Sequence, residues 1–202
     1  MVQYITRREL ERYLKAMAIL DIAMISKEDA WLRLVSFSKK EKASFYIFDN
    51  GSGDNLLVMF TENGVLLKGF DHENELNQFA ADEWDNSFFE HIFAGLPEEF
   101  EEFLDEGDRE NTTFCMWCMD DTDIWTQNEV DNNDGGKGFL LRYIHKTPKE
   151  WSEWAKDYYE AEFKQEVVQK IYNEETLTEE DIVKLNPECN ITEVFDEIRE
   201  SF

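Results

Sequence analysis

Three strand-length apolar runs, ASFYIFD (43–49), NLLVMFT (55–61) and GVLLKGF (64–70), follow one another, punctuated by NGSGDN (50–55) and ENG (62–64). Branched and aromatic residues fill the runs and turn formers fill the gaps, so this stretch reads as a three-stranded antiparallel meander. Asn63-Gly64 predicts a two-residue hairpin turn, because both positions of such a turn favour residues that tolerate positive φ. Two further runs, TTFCMWCM (112–119) and GFLLRYIH (138–145), read as strands and bring the expected sheet to about five.

Helical periodicity occupies the flanks. TRRELERYLKAMAIL carries Leu10, Tyr13, Leu14 and Met17 on one stripe behind Thr6 as a cap, and SKEDAWLRLV, from Ser26, places Ala30, Trp31, Leu34 and Val35 together. In the middle of the chain, Trp84, Phe88, Phe89, Ile92 and Phe93 form a stripe that Gly95 ends. Pro97 then opens LPEEFEEFLDEG, with Phe100, Phe103 and Leu104 inward. Near the end, TPKEWSEWAKDYYEAEF has Thr147 as cap, Pro148 at the first turn and Glu150 at the capping-box position. LTEEDIVKLNP and NITEVFDEIRESF repeat that logic from Thr178 and from Asn190 or Thr192. The expectation is one α+β domain over 1–202: N-terminal helices in 1–42, a mainly antiparallel sheet in 43–145 with an acidic helical insertion at 71–106, and C-terminal helices in 146–202.

At 202 residues the chain can bury a core unaided, and sixteen Phe, seven Tyr and six Trp supply it. The longest apolar run, AMAILDIAMI at 16–25, is interrupted by Asp21 and too short to span a bilayer, so no membrane association is expected. Three cysteines are an odd number without a secreted disulfide pattern, which points to a reducing cytoplasm.

Charge is distributed unevenly. The chain has 46 acidic and 20 basic residues, yet residues 1–42 are net positive, whereas residues 71–134 hold 21 Asp and Glu against the single Arg109. Such a field repels phosphate backbones and attracts cationic partners, so nucleic acid is not an expected ligand and a basic protein is. The carboxylates of Glu98, Glu99, Glu101, Glu102, Asp105 and Glu106 are the candidate partner-binding surface, with Trp125 as an exposed aromatic anchor.

Catalytic signatures are sparse. The stretch GFDHENELNQFAADEW at 69–84 follows a strand with one histidine and five acidic residues, which makes Asp71, His72 and Glu73 an alternative acid–base or metal-binding group for a small hydrolase or metal-dependent enzyme; a scaffold with no site, its charge serving only solubility, is the other alternative. If the strand continues through them, Asp71 and Glu73 face away from His72, and Asn74 caps a short helix through Leu76, Phe79 and Ala80. Cys115 and Cys118 form a lone C-x-x-C inside a strand, where residues three apart point to opposite faces and the sulfurs do not meet. Asp120, Asp121, Asp123, Asp131 and Asp134 do not fit a calcium-loop register. No H-E-x-x-H, G-x-S-x-G or phosphate-binding glycine loop occurs, and neither metal nor cofactor is expected.

The ordered stretches LLKGFDHENE, GLPEEFEEFLDE, TTFCMW, TPKEWSEWAKDYYE and LTEEDIVKLNP resemble a family of uncharacterised bacterial cytosolic proteins, over about residues 45–200. That resemblance implies bacterial origin and a single domain and carries no catalytic residue. LPEEFEEFL, at 96–104, is also similar to the L-P-x-x-[FY]-x-x-F-L stretch of the SMI1/KNR4-like group, in which toxin-immunity proteins are common. The likeness implies a non-enzymatic protein that masks a basic partner, such as a nuclease toxin.

Overall fold

A computed structural model describes residues 5–120 and 124–202. The fold is α+β, as expected, built on one antiparallel sheet. The sheet has six strands, not five, ordered β1-β2-β3-β4-β5-β6 as in the sequence: Val35–Lys39, Ser44–Asp49, Asn55–Phe60, Gly64–Phe70, Phe114–Met119 and Trp125–Gln127. The chain divides into two compact units, Met1–Arg7 with Ser38–Tyr143, and Arg8–Phe37 with Ile144–Phe202.

The first unit carries the meander. β3 pairs with β2 and β4 in unbroken registers, Phe45 opposite Met59 and Val58 opposite Leu67. Every residue of β4 is buried, so this central strand shows none of the alternation of a half-exposed sheet. One core cluster joins Phe45, Leu57, Met59, Leu66, Cys115 and Trp117 of the strands to apolar residues of two short helices, α2 (Asn86–Ile92) and α3 (Glu98–Glu101), and to Leu104 in the link to α4 (Glu106–Glu110). Phe100, fully buried in α3, belongs to that cluster, as do Phe88, Ile92 and Phe93 of the predicted stripe.

The hairpin at 61–64 forms, but its turn is not Asn63-Gly64. The Thr61 N–H donates to the Gly64 carbonyl across Glu62 and Asn63, and Gly64 begins β4 without a positive φ. A Cβ on Gly64 would lie 2.7 Å from the Cys118 carbonyl oxygen and 3.0 Å from the Phe100 ring. That glycine serves the close approach of β5, a need that dipeptide preference does not reveal.

Two strand and helix expectations are reversed. Residues 138–145 form α5 (Lys137–Leu140) and a 3-10 turn at Leu141–Tyr143 rather than a strand. Asp134 accepts the N–H groups of Gly136 and Gly138 and starts the helix, and Leu140, Leu141 and Ile144 are buried at helical spacing. The segment from Ser26 is no regular helix. Ser26 Oγ accepts the Asp29 N–H, a 3-10 turn covers Ala30–Leu32, and the chain then enters β1 at Val35. Trp31, expected inside, is 79 % exposed.

In the second unit, α1 (Arg7–Met24) buries Leu10, Leu14 and Met17 as its periodicity requires. Helices α6 (Pro148–Tyr158), α7 (Gln165–Tyr172), α8 (Glu179–Leu185) and α9 (Ile191–Ser201) follow. Thr147, Thr178 and Asn190 cap α6, α8 and α9, and Thr178 with Asp181 completes a capping box.

Candidate functional site

β4 ends at Phe70, and the chain turns at once, so strand alternation does not govern Asp71, His72 and Glu73. The three do not converge. The Asp71 carboxylate turns back to accept the Glu73 N–H and packs against Gly136, whose positive φ of 81° and lack of a Cβ leave room for it. His72 instead meets Asp54, from the β2–β3 connection: Nδ1 lies 2.7 Å from Asp54 Oδ1, which also accepts the His72 backbone N–H at 3.0 Å. The other ring nitrogen, Nε2, is 3.0 Å from Glu73 Oε1.

Asp54 is buried and oriented from behind by Asn50, whose amide donates to Asp54 Oδ2 and to the Tyr143 hydroxyl. Burial alone raises the Asp54 pKa, but the hydrogen bonds from the His72 ring, the His72 backbone and Asn50 outweigh it and hold the carboxyl below its ordinary value. The hydrogen bond to Asp54 raises the His72 pKa, with the charges of Asp54, Glu73 and Asp71 adding to it. The arrangement is an imidazole ring held between two carboxylates, which favour its protonated form. Asp54 was not among the sequence candidates. Its signal lay in the register: extending Asn55 opposite Phe70 by one residue places Asp54 opposite Asp71, next to His72.

The acidic surface is real but unequal. Glu98, Glu101, Glu102, Asp105 and Glu106 are exposed on α3, α4 and their link. Glu99 is half-buried and accepts hydrogen bonds from Thr61 Oγ1 at 2.5 Å and Asn63 Nδ2 at 2.9 Å, so it fastens the hairpin and is withdrawn from a partner. Asp105 caps α4 by accepting the Asp108 N–H at 2.8 Å. Glu101 lies 3.9 Å from Arg109 and Glu102 lies 3.7 Å from Lys42, both too exposed to gain much stability. Arg109 stacks over the Phe93 ring at 5.0 Å. Trp125 is half-buried on β6, opposite Cys118, and does not stand out as the aromatic anchor.

Other aromatics do. Phe70, Phe79, Trp84 and Phe89 form a chain of rings with centroids 5.4 to 5.9 Å apart, in which Phe79 is 60 % and Trp84 41 % exposed. Asn77, not Asn74, caps the short 3-10 turn Gln78–Ala80 that presents Phe79, by accepting the Phe79 N–H. Beside the ladder is a cleft of about 570 Å³ with Leu76, Phe88 and Val130 among its apolar lining and Asp85, Glu129 and Asp131 among its carboxylates. His91 closes one side by donating Nε2–H to the Glu129 carbonyl.

The cysteine reading holds in geometry. Cys115 and Cys118 sit on β5 opposite Lys68 and Val65, all three cysteines are free, and burial pushes the Cys115 thiol up to about 12. Of the aspartates in the polar excursion, Asp121 and Asp123 lie outside the described residues. Asp120 pairs with Arg7, Asp134 starts α5, and Asp131 adopts a positive φ of 50°. Among the described residues no three His, Cys, Asp or Glu side chains are placed to hold a metal ion, and no helix is long and apolar enough to cross a membrane.

Compared with family models, curated proteins and solved structures, the chain matches none.

Proposed function

We propose that this chain is a non-enzymatic acidic binding protein, of the toxin-immunity type and acting in a bacterial cytoplasm, that masks the basic surface of a protein partner such as a nuclease toxin. One observation carries the reading. In the first unit, exposed carboxylates of α3 and α4 accumulate in a segment of 21 acidic residues whose single arginine is already engaged with Glu101 and Phe93. Concentrated charge of one sign raises association rates with a cationic surface and repels nucleic acid, the competing ligand of a nuclease.

The test compares the wild-type chain with Glu98→Lys, Glu101→Lys, Glu102→Lys and Glu106→Lys combined, as baits in lysate of the source organism at low and moderate salt. A stoichiometric basic protein captured by wild type, lost with the variant, and inhibited when the chain is added back supports the reading. Equal capture by both baits, or capture without inhibition, removes it.

A second reading, acid–base catalysis at the former Asp71-His72-Glu73 group, is favoured by the Asp54–His72 hydrogen bond, the usual device for orienting a catalytic imidazole. Against it, Glu73 occupies Nε2, the nitrogen a substrate would need. Hydrolysis of ester or phosphoester probes that disappears in His72→Gln would restore it.

A further inference from the structure

The strongest unexplained feature of the first unit is its exposed aromatic ladder, which lies between acidic residues and borders a cleft. Exposed rings cost solvation, and Phe79 and Trp84 are two exposed aromatics whose rings pack in one continuous ladder. Between Lys68 and Arg109 the sequence has no lysine or arginine, whereas Glu75, Asp82, Glu83, Asp85 and Glu90 surround the rings along the chain. Gln78 Oε1 accepts the Asp85 N–H at 3.0 Å and ties the two ends of this segment together, so that Phe79 and Trp84 sit next to residues lining the cleft. The Trp84 indole donates to Asn86 Oδ1, which fixes the ring.

Resting on the reading of a masked basic partner, we infer that the α3–α4 surface steers the approach of that partner while this ladder and its cleft anchor it, and that the group the anchor takes is an arginine side chain of the partner. An arginine satisfies both halves of the site. Its planar guanidinium stacks on aromatic faces, and its fork of donors matches a carboxylate such as that of Asp131. A lysine ammonium offers a point charge and holds its water more tightly, so it fits the rings less well. Glu129 already lies 3.5 Å from Lys137, and Asp85 Oδ1 caps α2 by accepting the Ser87 N–H and hydroxyl, which leaves Asp131 as the carboxylate for the incoming cation. An apolar partner would gain the rings but would have to strip water from those carboxylates, which charge complementarity disfavours.

The probe is a short acetylated peptide of alternating glycine and arginine, with lysine and citrulline counterparts, added to the ¹⁵N-labelled full chain at moderate salt. The arginine peptide is expected to shift the Trp84 indole and the amides of residues 76–91, to bind at least threefold more tightly than the lysine peptide, and to leave the citrulline peptide without effect. Phe79→Leu with Trp84→Leu keeps apolar bulk at two exposed positions, so folding is preserved, and should weaken the arginine peptide roughly tenfold, as expected for two cation–π contacts at exposed sites. Shifts confined to residues 98–106, or affinity unchanged in the double variant, overturn this inference and leave the masking reading intact. No binding anywhere on residues 71–134 counts against both. Concentration-dependent self-association that perturbs Trp84 without any peptide would make the ladder an interface between copies of this chain and would also overturn the inference.

Discussion

Replacing Asp21 by asparagine should stabilise the protein at neutral pH and leave it unchanged in acid. Asp21 lies inside α1 with 1 % exposure and accepts the Val35 N–H at 2.6 Å and the Tyr159 hydroxyl. Burial pushes its pKa from 3.8 to about 6, against the pull of those hydrogen bonds and of Arg33. Between those values the folded chain holds a proton that the unfolded chain has released, so stability falls as pH rises through the window. At about 1.4 kcal/mol per pKa unit, roughly two units make the charged form about 3 kcal/mol less stable at pH 8 than a neutral group would be.

His145 works in the opposite direction. Burial lowers its pKa from 6.5 to about 4, so the folded chain refuses a proton that the unfolded chain binds, and stability falls as pH drops through that range. In the wild type the two slopes largely cancel between pH 4 and 6. Asp21→Asn removes only the first. Its carbonyl still accepts from Val35 and its amide can donate to Tyr159, so the fold is retained. Urea unfolding followed by circular dichroism from pH 4 to 8 should show the variant more stable by up to about 3 kcal/mol at pH 8, with the difference closing by pH 4 and a new downward slope toward acid. A variant less stable at pH 8, or a difference independent of pH, would refute the reasoning.

The His72 ring should titrate above 6.5 by NMR, and Asp54→Asn should lower that midpoint; a wild-type midpoint at or below 6.5 would mean the clamp is not formed in solution. Its contribution to stability should be complete below pH 6.5 and fade as pH rises through the raised histidine value, while the Asp54 side of the pair is present above about pH 4 and fades as pH falls through the lowered carboxyl value. Phe100→Ala, which empties a fully buried position in the first unit's core, should cost about 3–5 kcal/mol in urea unfolding, and a loss below about 1 kcal/mol would mean the α3 packing is wrong.

The sequence alone determined the parts of this protein that depend on local chemistry. Caps at Thr147, Thr178 and Asn190, the α1 stripe and the three meander strands are short-range, because one side-chain oxygen, one period or one turn former decides them. The opposed faces of Cys115 and Cys118 followed in the same way from strand geometry. Tertiary structure decided what local rules leave degenerate. LLRYI suits a strand or a helix, and the hydrogen bonds that Asp134 accepts from Gly136 and Gly138 together with burial at helical spacing settled it. Gly64 looked like a turn residue until β5 and Phe100 came within reach of it. The His72 environment was invisible in GFDHE, since its partner Asp54 is eighteen residues away and arrives only through strand register. Acidity was legible as a number, but which carboxylates are spent inside the fold, as Glu99 is, and which aromatics stay outside, as Phe79 and Trp84 do, depends on packing across distant segments, and no local rule encodes that.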